Sequence, residues 1–367
     1  MARKETTRVR ESAHFPAFDL SATPPPLAAA HGTALAPFSA LVKRLSDAFG
    51  PSGSEENVRE VVRAEIKGLA DQVRVDALGN LIAVRKGSGN GRKKIMLTAP
   101  LDEIGVMVTF LDSRGFARVG MLGAVNPATL PGARAQFENG AIGVFGRETR
   151  GAARAETDTS ALFLDIGATA PENAPVRVGD AACLVGDFGV AGSALLGKAL
   201  GGRASCAVLI ETLRRLKKAA HDVYCVFTVQ HQVGARGAGA AAYAIQPDYA
   251  FVIEPTPAHD VPNGGDASIA LGKGPAILVQ DDKMIASAAA RQILMQAARS
   301  AHIPYQMQVH AHAGGDGTPI QATREGIVTA TLALPTRYLR TPSEMVDPRD
   351  AENAMELVLS VLANKGM

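Results

Sequence analysis

The sequence predicts an α/β protein whose largely parallel sheet is covered by helices and interrupted by a small β-barrel-like domain. Three observations predict it. Short apolar runs of the buried parallel-strand kind, such as KKIMLTA (Lys93 to Ala99) and VYCVFTV (Val223 to Val229), alternate with segments of helical spacing. The second run passes into TVQHQVGARGA (Thr228 to Ala238). This turn of Gly and small residues carries polar side chains at the strand end, where open α/β sheets place their chemistry. Between about Met107 and Asp187 the rhythm gives way to short strands and Gly/Pro turns with no long amphipathic helix, the pattern of an inserted β domain.

Taken in order, residues 1–37 (basic and acidic residues, a Pro triplet, an Ala run) read as a disordered extension without the continuous apolar stretch of a signal peptide. Leu41, Leu45 and Phe49 give helical spacing over Phe38 to Phe49. GPSGSEEN supplies a turn and a helix start with Ser54 as N-cap, and Val58, Val61, Val62, Ile66 and Leu69 form one face of a helix over 58–69. VRVDALGNLIAVRKG reads as two strands joined at Leu78-Gly79-Asn80, and Gly87 to Gly91 as a flexible hairpin turn rather than a phosphate loop. The inserted domain, 107–187, has strands at Ile142 to Phe145 and Ala182 to Val185. The α/β domain, 38–106 and 188–367, resumes with a helix at 204–219, the strand 223–229, a helix at 238–244 and a strand at 249–253. A helix at 285–301 follows, started by Asp281-Asp282, then a strand at 326–334 and a last helix at 350–362.

At 367 residues the chain holds a large core, and 47% hydrophobic with 20% charged residues is ordinary for a globular protein. A net charge of +2 sets up no field for nucleic acid or membrane, and no run reaches the length of a membrane helix. Cys183, Cys206 and Cys225 are scattered and odd in number, without metal spacing. They fit buried thiols in a reducing cytoplasm.

TVQHQVGARGA resembles the strand-end TVQEEVG(L)RGA of the glutamyl, or TET, aminopeptidases, the two-metal peptidase family M42, also labelled endoglucanase-like. Further motifs match in order: GPSGSEE, VDALGNLIAVRKG, DEIGVMV, LPGARAQF, LDIGATAPENA, LLGKAL and PTRYLRTPSEMVDPRDAEN, so the resemblance runs from about Phe49 to Leu362. It implies a metallo-aminopeptidase α/β fold (phosphorylase/hydrolase-like). It also implies a peptide ligand and assembly into a large hollow homo-oligomer. The family's site is expected to hold two metal ions through two His and three carboxylates, with a further carboxylate as general base.

The resemblance places those positions in this chain one by one. The family's HxDEIG reads Pro100-Leu101-Asp102-Glu103-Ile104-Gly105, so the His is lost and the supporting Asp102 kept. The bridging Asp of Asp-Asn-Arg is Gly201, followed by Gly202 and Arg203. The two acids, base and ligand, are His231 and Gln232. The Asp of VDVT becomes Glu254, and the His of RYxHSPxEM becomes Arg340, which cannot lose its proton. The family's GGTDA loop corresponds to Gly314-Gly315-Asp316.

The reading is a catalytically silent family member with a binding, regulatory or subunit role and no cofactor. Arg340 is expected to pair with Glu254 or Asp102 in place of metal. The alternative is an active metallo-hydrolase carrying Zn, Co or Mn on a rebuilt site. That site takes Asp102, His231, Glu254 and the HxH pair His310 and His312.

Overall fold

A computed structural model describes residues 36–148, 157–262, 264, 269–310 and 314–364. The extension read over 1–37 lies, but for its last two residues, outside the described residues, as does His312.

The chain opens with helices α1 (Ala36–Asp47) and α2 (Glu56–Glu65) and strands β1 (Gln72–Val75), β2 (Leu81–Arg85) and β3 (Lys94–Pro100). Six strands follow: β4 (Gly105–Leu111), β5 (Ala117–Leu122), β6 (Arg134–Phe137), β7 (Ile142–Arg147), β8 (Leu162–Asp165) and β9 (Ala181–Leu184). They close into a barrel in the order β4-β5-β8-β7-β6-β9 around Val106, Val108, Phe137, Phe145 and Leu164. The chain then returns through β10 (Gly189–Ala191), β11 (Ala194–Gly197), α3 (Leu200–Arg215), β12 (Asp222–Thr228), α4 (Arg236–Ile245), β13 (Tyr249–Pro257) and β14 (Ala276–Gln280). It ends with α5 (Ala288–Ser300), β15 (Gln306–Val309), α6 (Gly317–Gln321), β16 (Val328–Thr336), β17 (Glu344–Val346) and α7 (Pro348–Ala363).

The main sheet runs β1-β2-β12-β3-β13-β16-β14-β15, and its centre, β12-β3-β13-β16, is parallel. Such strands are covered on both faces, which is why their sequences are continuous apolar runs instead of alternating ones. Residues of α1, α2, α3, α5 and α7 close one core with the sheet, and α4 with Ile320 of α6 closes the other.

Several local expectations change. Helix α2 starts at Glu56 and ends at Glu65, with Glu55 and not Ser54 at its N-cap. Asp281 does not start a helix; its carboxylate accepts the Lys283 and Met284 N–H groups and closes a turn, and α5 begins at Ala288. Gly87 to Gly91 is no hairpin turn, because β12 is inserted between β2 and β3. The loop crosses over β12, and a Cβ at Gly87 would meet the His221 backbone at 2.5 Å. Helix α3 begins at Leu200, four residues before its expected start, so Gly201 and Gly202 form its first turn.

Candidate functional site

The C-terminal ends of the four central parallel strands converge on one cleft, the place where this sheet class collects function. β3 leads to Asp102, β12 to the 229–235 turn, β13 carries Glu254 and β16 leads to the turn with Arg340. The loop before α6 brings Asp316 to the same point.

The turn after β12 is held by side chains from distant segments. Its four successive amides are each taken by a side-chain oxygen: Val229 N–H by Asn80 Oδ1 at 3.0 Å, Gln230 N–H by Glu55 Oε1 at 3.0 Å, His231 N–H by Asp102 Oδ1 at 3.0 Å and Gln232 N–H by Asp102 Oδ2 at 2.9 Å. Asp102 also accepts the Ser52 hydroxyl. A buried amide without a partner is costly, so these acceptors fix the turn and its left-handed Gln230 (φ 56°). Asp102 is thus retained as a brace.

On the turn, His231 Nδ1 stands 2.8 Å from Asp316 Oδ1 and 3.9 Å from Glu254 Oε2. Asp316 Oδ2 accepts the Thr228 hydroxyl at 2.6 Å, and its amide donates to Glu254 Oε2 at 3.0 Å. Burial by itself would lower the His231 pKa, but the Asp316 charge and hydrogen bond, then Glu254 and Asp102, raise it to about 9. Burial raises Glu254 to about 7 against the pull of His231. Burial likewise raises Asp102 above the usual carboxylate range. At neutral pH His231 is therefore an imidazolium, with no lone pair to take a proton or an ion.

Arg340 does not form the expected pair. Among the described residues its guanidinium makes no ion pair with Glu254 or Asp102. Its turn carries left-handed Tyr338 (φ 55°) and Arg340 (φ 66°), and the Arg340 N–H donates to Glu344 Oε1 at 2.8 Å. That geometry points the backbone, not the guanidinium, at a carboxylate. Burial lowers the Arg340 pKa while Glu344 and Glu254 raise it. Burial raises Glu344 to about 7 although it accepts the Gly201 and Arg340 amides. The counter-ion of Glu254 is His231.

A cavity of about 60 Å³ is lined by His231, Glu254, Asp281, Gln308, His310 and Arg340 among others. A second space of about 10 Å³ lies beside Asp102, Gln232, Pro255 and Glu344, at the lower bound for one water. Gln232 packs against the barrel, its Cβ 2.9 Å from where a Gly123 Cβ would stand.

These residues do not fit the two ions that the family resemblance implies. Pro100 has no donor atom to offer, and its carbonyl accepts the Cys206 thiol at 3.1 Å. A Cβ at Gly201 would stand 2.4 Å from Pro255 Cβ and 2.9 Å from Thr336 Oγ1, so the space of a bridging Asp is filled. Both Asp102 oxygens are engaged, and Gln232 is neutral. Ligand number and type set affinity, and neither is met. Among the described residues no group of three or more His, Cys, Asp or Glu is disposed to hold an ion.

Asp102, His231, Glu254 and Asp316 are thus brought together, with Arg340 and His310 on the cavity wall. Gly201 and Gln232 lie against the smaller space and its surroundings. The sequence alone gives no site role to Ser52, Glu55, Asn80, Gln308, Thr331 or Glu344. Ser52 and Glu55 lie in GPSGSEE, Asn80 in VDALGNL and Glu344 in TPSEM, so those shared motifs were the available signal. Nothing in the sequence marks Gln308 or Thr331.

Residues 79–357 match the family described as M42 glutamyl aminopeptidase. A putative aminopeptidase of Acetivibrio thermocellus is 39% identical over 324 residues, 88% of this chain and 97% of its own length. The aminopeptidase APDkam598 from the archaeon Desulfurococcus kamchatkensis superposes with a TM-score of 0.84 at 34% identity, covering 89% of this chain and 94% of that one. The TET1 peptidase of Pyrococcus horikoshii, described as assembling into a tetrahedron or a large octahedral shell, superposes with a TM-score of 0.78 at 29% identity, covering 89% and 99%.

Proposed function

The chain belongs to the M42 glutamyl aminopeptidase family, and from that premise we propose that it is a catalytically silent member, a binding or regulatory protein and not a peptidase. One observation carries the reading: a charge cluster, in which Asp316 is hydrogen-bonded to both His231 and Glu254, occupies the strand ends where the family's chemistry is expected. There the imidazolium offsets the carboxylate charge that metal ions would otherwise neutralise. The fold is kept by the braces on the 229–232 amides, which need no metal.

Its ligand class is small molecules or peptide ends that reach a strand-end cleft. We assign it a homo-oligomeric state, by likeness to the TET1 peptidase assembly. Three free, buried thiols support a reducing, cytoplasmic setting. No described helix is long and apolar enough to cross a membrane. Burial pushes all three thiols up to about 12, so none is a nucleophile at neutral pH.

A second reading rests on His310, which lines the same cavity as His231 and Glu254. In it a single Zn, Co or Mn ion sits on the rebuilt set with His312, and the chain hydrolyses amide bonds. A panel of aminoacyl chromogenic substrates, with each metal added in turn, separates the two. The first reading expects no turnover under any condition. Turnover that His310→Ala abolishes establishes the second.

A further inference from the structure

Arg340, His231 and Glu254 face one cavity with bonding capacity left over. The Arg340 guanidinium carries five donors and forms no ion pair or hydrogen bond among the described residues. His231 Nε2 makes none either; its ring is tied through Nδ1. Glu254 Oε2 accepts the Asp316 amide, while Oε1 accepts no hydrogen bond among the described residues. Two further wall residues are almost fully buried, Gln308 at 3% exposure and Thr331 at 1%. The Gln308 amide nitrogen donates to Thr256, and its oxygen and the Thr331 hydroxyl, both closed off from the cavity, have no partner among the described residues.

Buried polar atoms without partners are rare, because each costs the free energy of a lost hydrogen bond. The groups of Arg340, His231 and Glu254 that are left over face instead a space of about 60 Å³. By the volume one water needs, that is roughly four water positions, room for the head of a small organic molecule. The donors and acceptors differ in kind. A guanidinium and a ring N–H suit a planar anion, and a carboxylate matches the guanidinium fork with two parallel bonds. The free Glu254 oxygen suits a cation or N–H donor.

We propose that this cavity binds a free α-amino acid, its carboxylate on Arg340 and His231 and its ammonium toward Glu254. The inference rests on the reading of a silent binding protein and names its ligand. The site is small, so glycine and alanine are the ligands it takes best.

The test is isothermal titration calorimetry on the full chain, with chelator present. Glycine and alanine are titrated beside glycinamide, which lacks the carboxylate, and acetate, which lacks the ammonium. The expected result is saturable heat for glycine and alanine, and none for glycinamide. Arg340→Met abolishes the heat. Arg340→Lys keeps the charge but not the fork, and weakens binding about tenfold or more. Circular dichroism confirms that each variant is folded. Glycinamide binding as tightly as glycine, unchanged affinity in folded Arg340→Lys, or no heat from either amino acid overturns the proposal. Metal-dependent turnover of aminoacyl substrates overturns the binding-protein reading instead. A silent chain that ignores glycine and alanine overturns only the amino-acid site.

Discussion

His231 Nδ1 lies 2.8 Å from Asp316 Oδ1, across 85 residues of sequence, and this contact sets the charge state of the cleft. The folded-state pKa of His231 is about 9 against an ordinary 6.5, so its stabilising contribution is fully present below pH 6.5 and is lost as pH rises through 9. The His231→Ala variant leaves Asp316 buried without its counter-ion and is expected to lose about 3 kcal/mol at pH 6. Denaturant unfolding at several pH values checks this. The deficit narrows between pH 6.5 and 9; a deficit independent of pH contradicts the assignment.

Glu254 runs the opposite way from an ordinary paired carboxylate. Its pKa is raised from 4.5 to about 7, so the stability it contributes is present below 4.5 and is lost as pH rises through 7. Glutamine keeps an acceptor for the Asp316 amide and carries no charge. Glu254→Gln should therefore be more stable than the parent at pH 8, by about 1–3 kcal/mol, with little difference at pH 4.5. Thermal unfolding at both pH values decides it, and a variant less stable at pH 8 contradicts the account.

Asp102 serves as a brace. Asp102→Ala leaves the Ser52 hydroxyl and the His231 and Gln232 amides without their acceptor. The expected cost is about 3 kcal/mol or more. Hydrogen exchange reports it locally: amides 231 and 232 lose protection before the β12 strand does. Unchanged protection there would remove the brace from the account.

Gly201 is crowded by Pro255, 2.4 Å from the position of a Cβ. Gly201→Ala is expected to destabilise by about 1–3 kcal/mol through overpacking, and Gly201→Asp by at least as much. Gly201→Asp is also expected to gain no metal affinity, since one carboxylate does not rebuild a two-ion template. Melting temperature and bound metal measured on the same sample check both halves.

The alternating strands and helices were legible because continuous apolar runs and helical periodicity are local signals. The strand-end positions of Asp102, His231 and Glu254 followed from the same pattern and from the shared motifs. The bonds that decide their roles were not legible. Asn80 reaches Val229 across 149 residues and Glu55 reaches Gln230 across 175, and no local pattern encodes such pairs. Nothing local in Gly87 to Gly91 shows that β12, more than a hundred residues later, inserts between the strands this loop joins. Charge and the guanidinium's two-bond fork both point Arg340 toward a carboxylate. Two left-handed residues in its turn send its amide to Glu344 and leave the guanidinium on the cavity wall.

On the proposed reading this strand-end cleft carries its own counter-charge and takes up no pair of metal ions. Titration of the purified, chelator-treated chain with Zn, Co and Mn, followed by elemental analysis after desalting, tests it most directly. The expected result is no stoichiometric retention of any of the three, with the melting temperature unmoved by metal. Stoichiometric metal on the chain that Glu254→Gln or His231→Ala removes would contradict it.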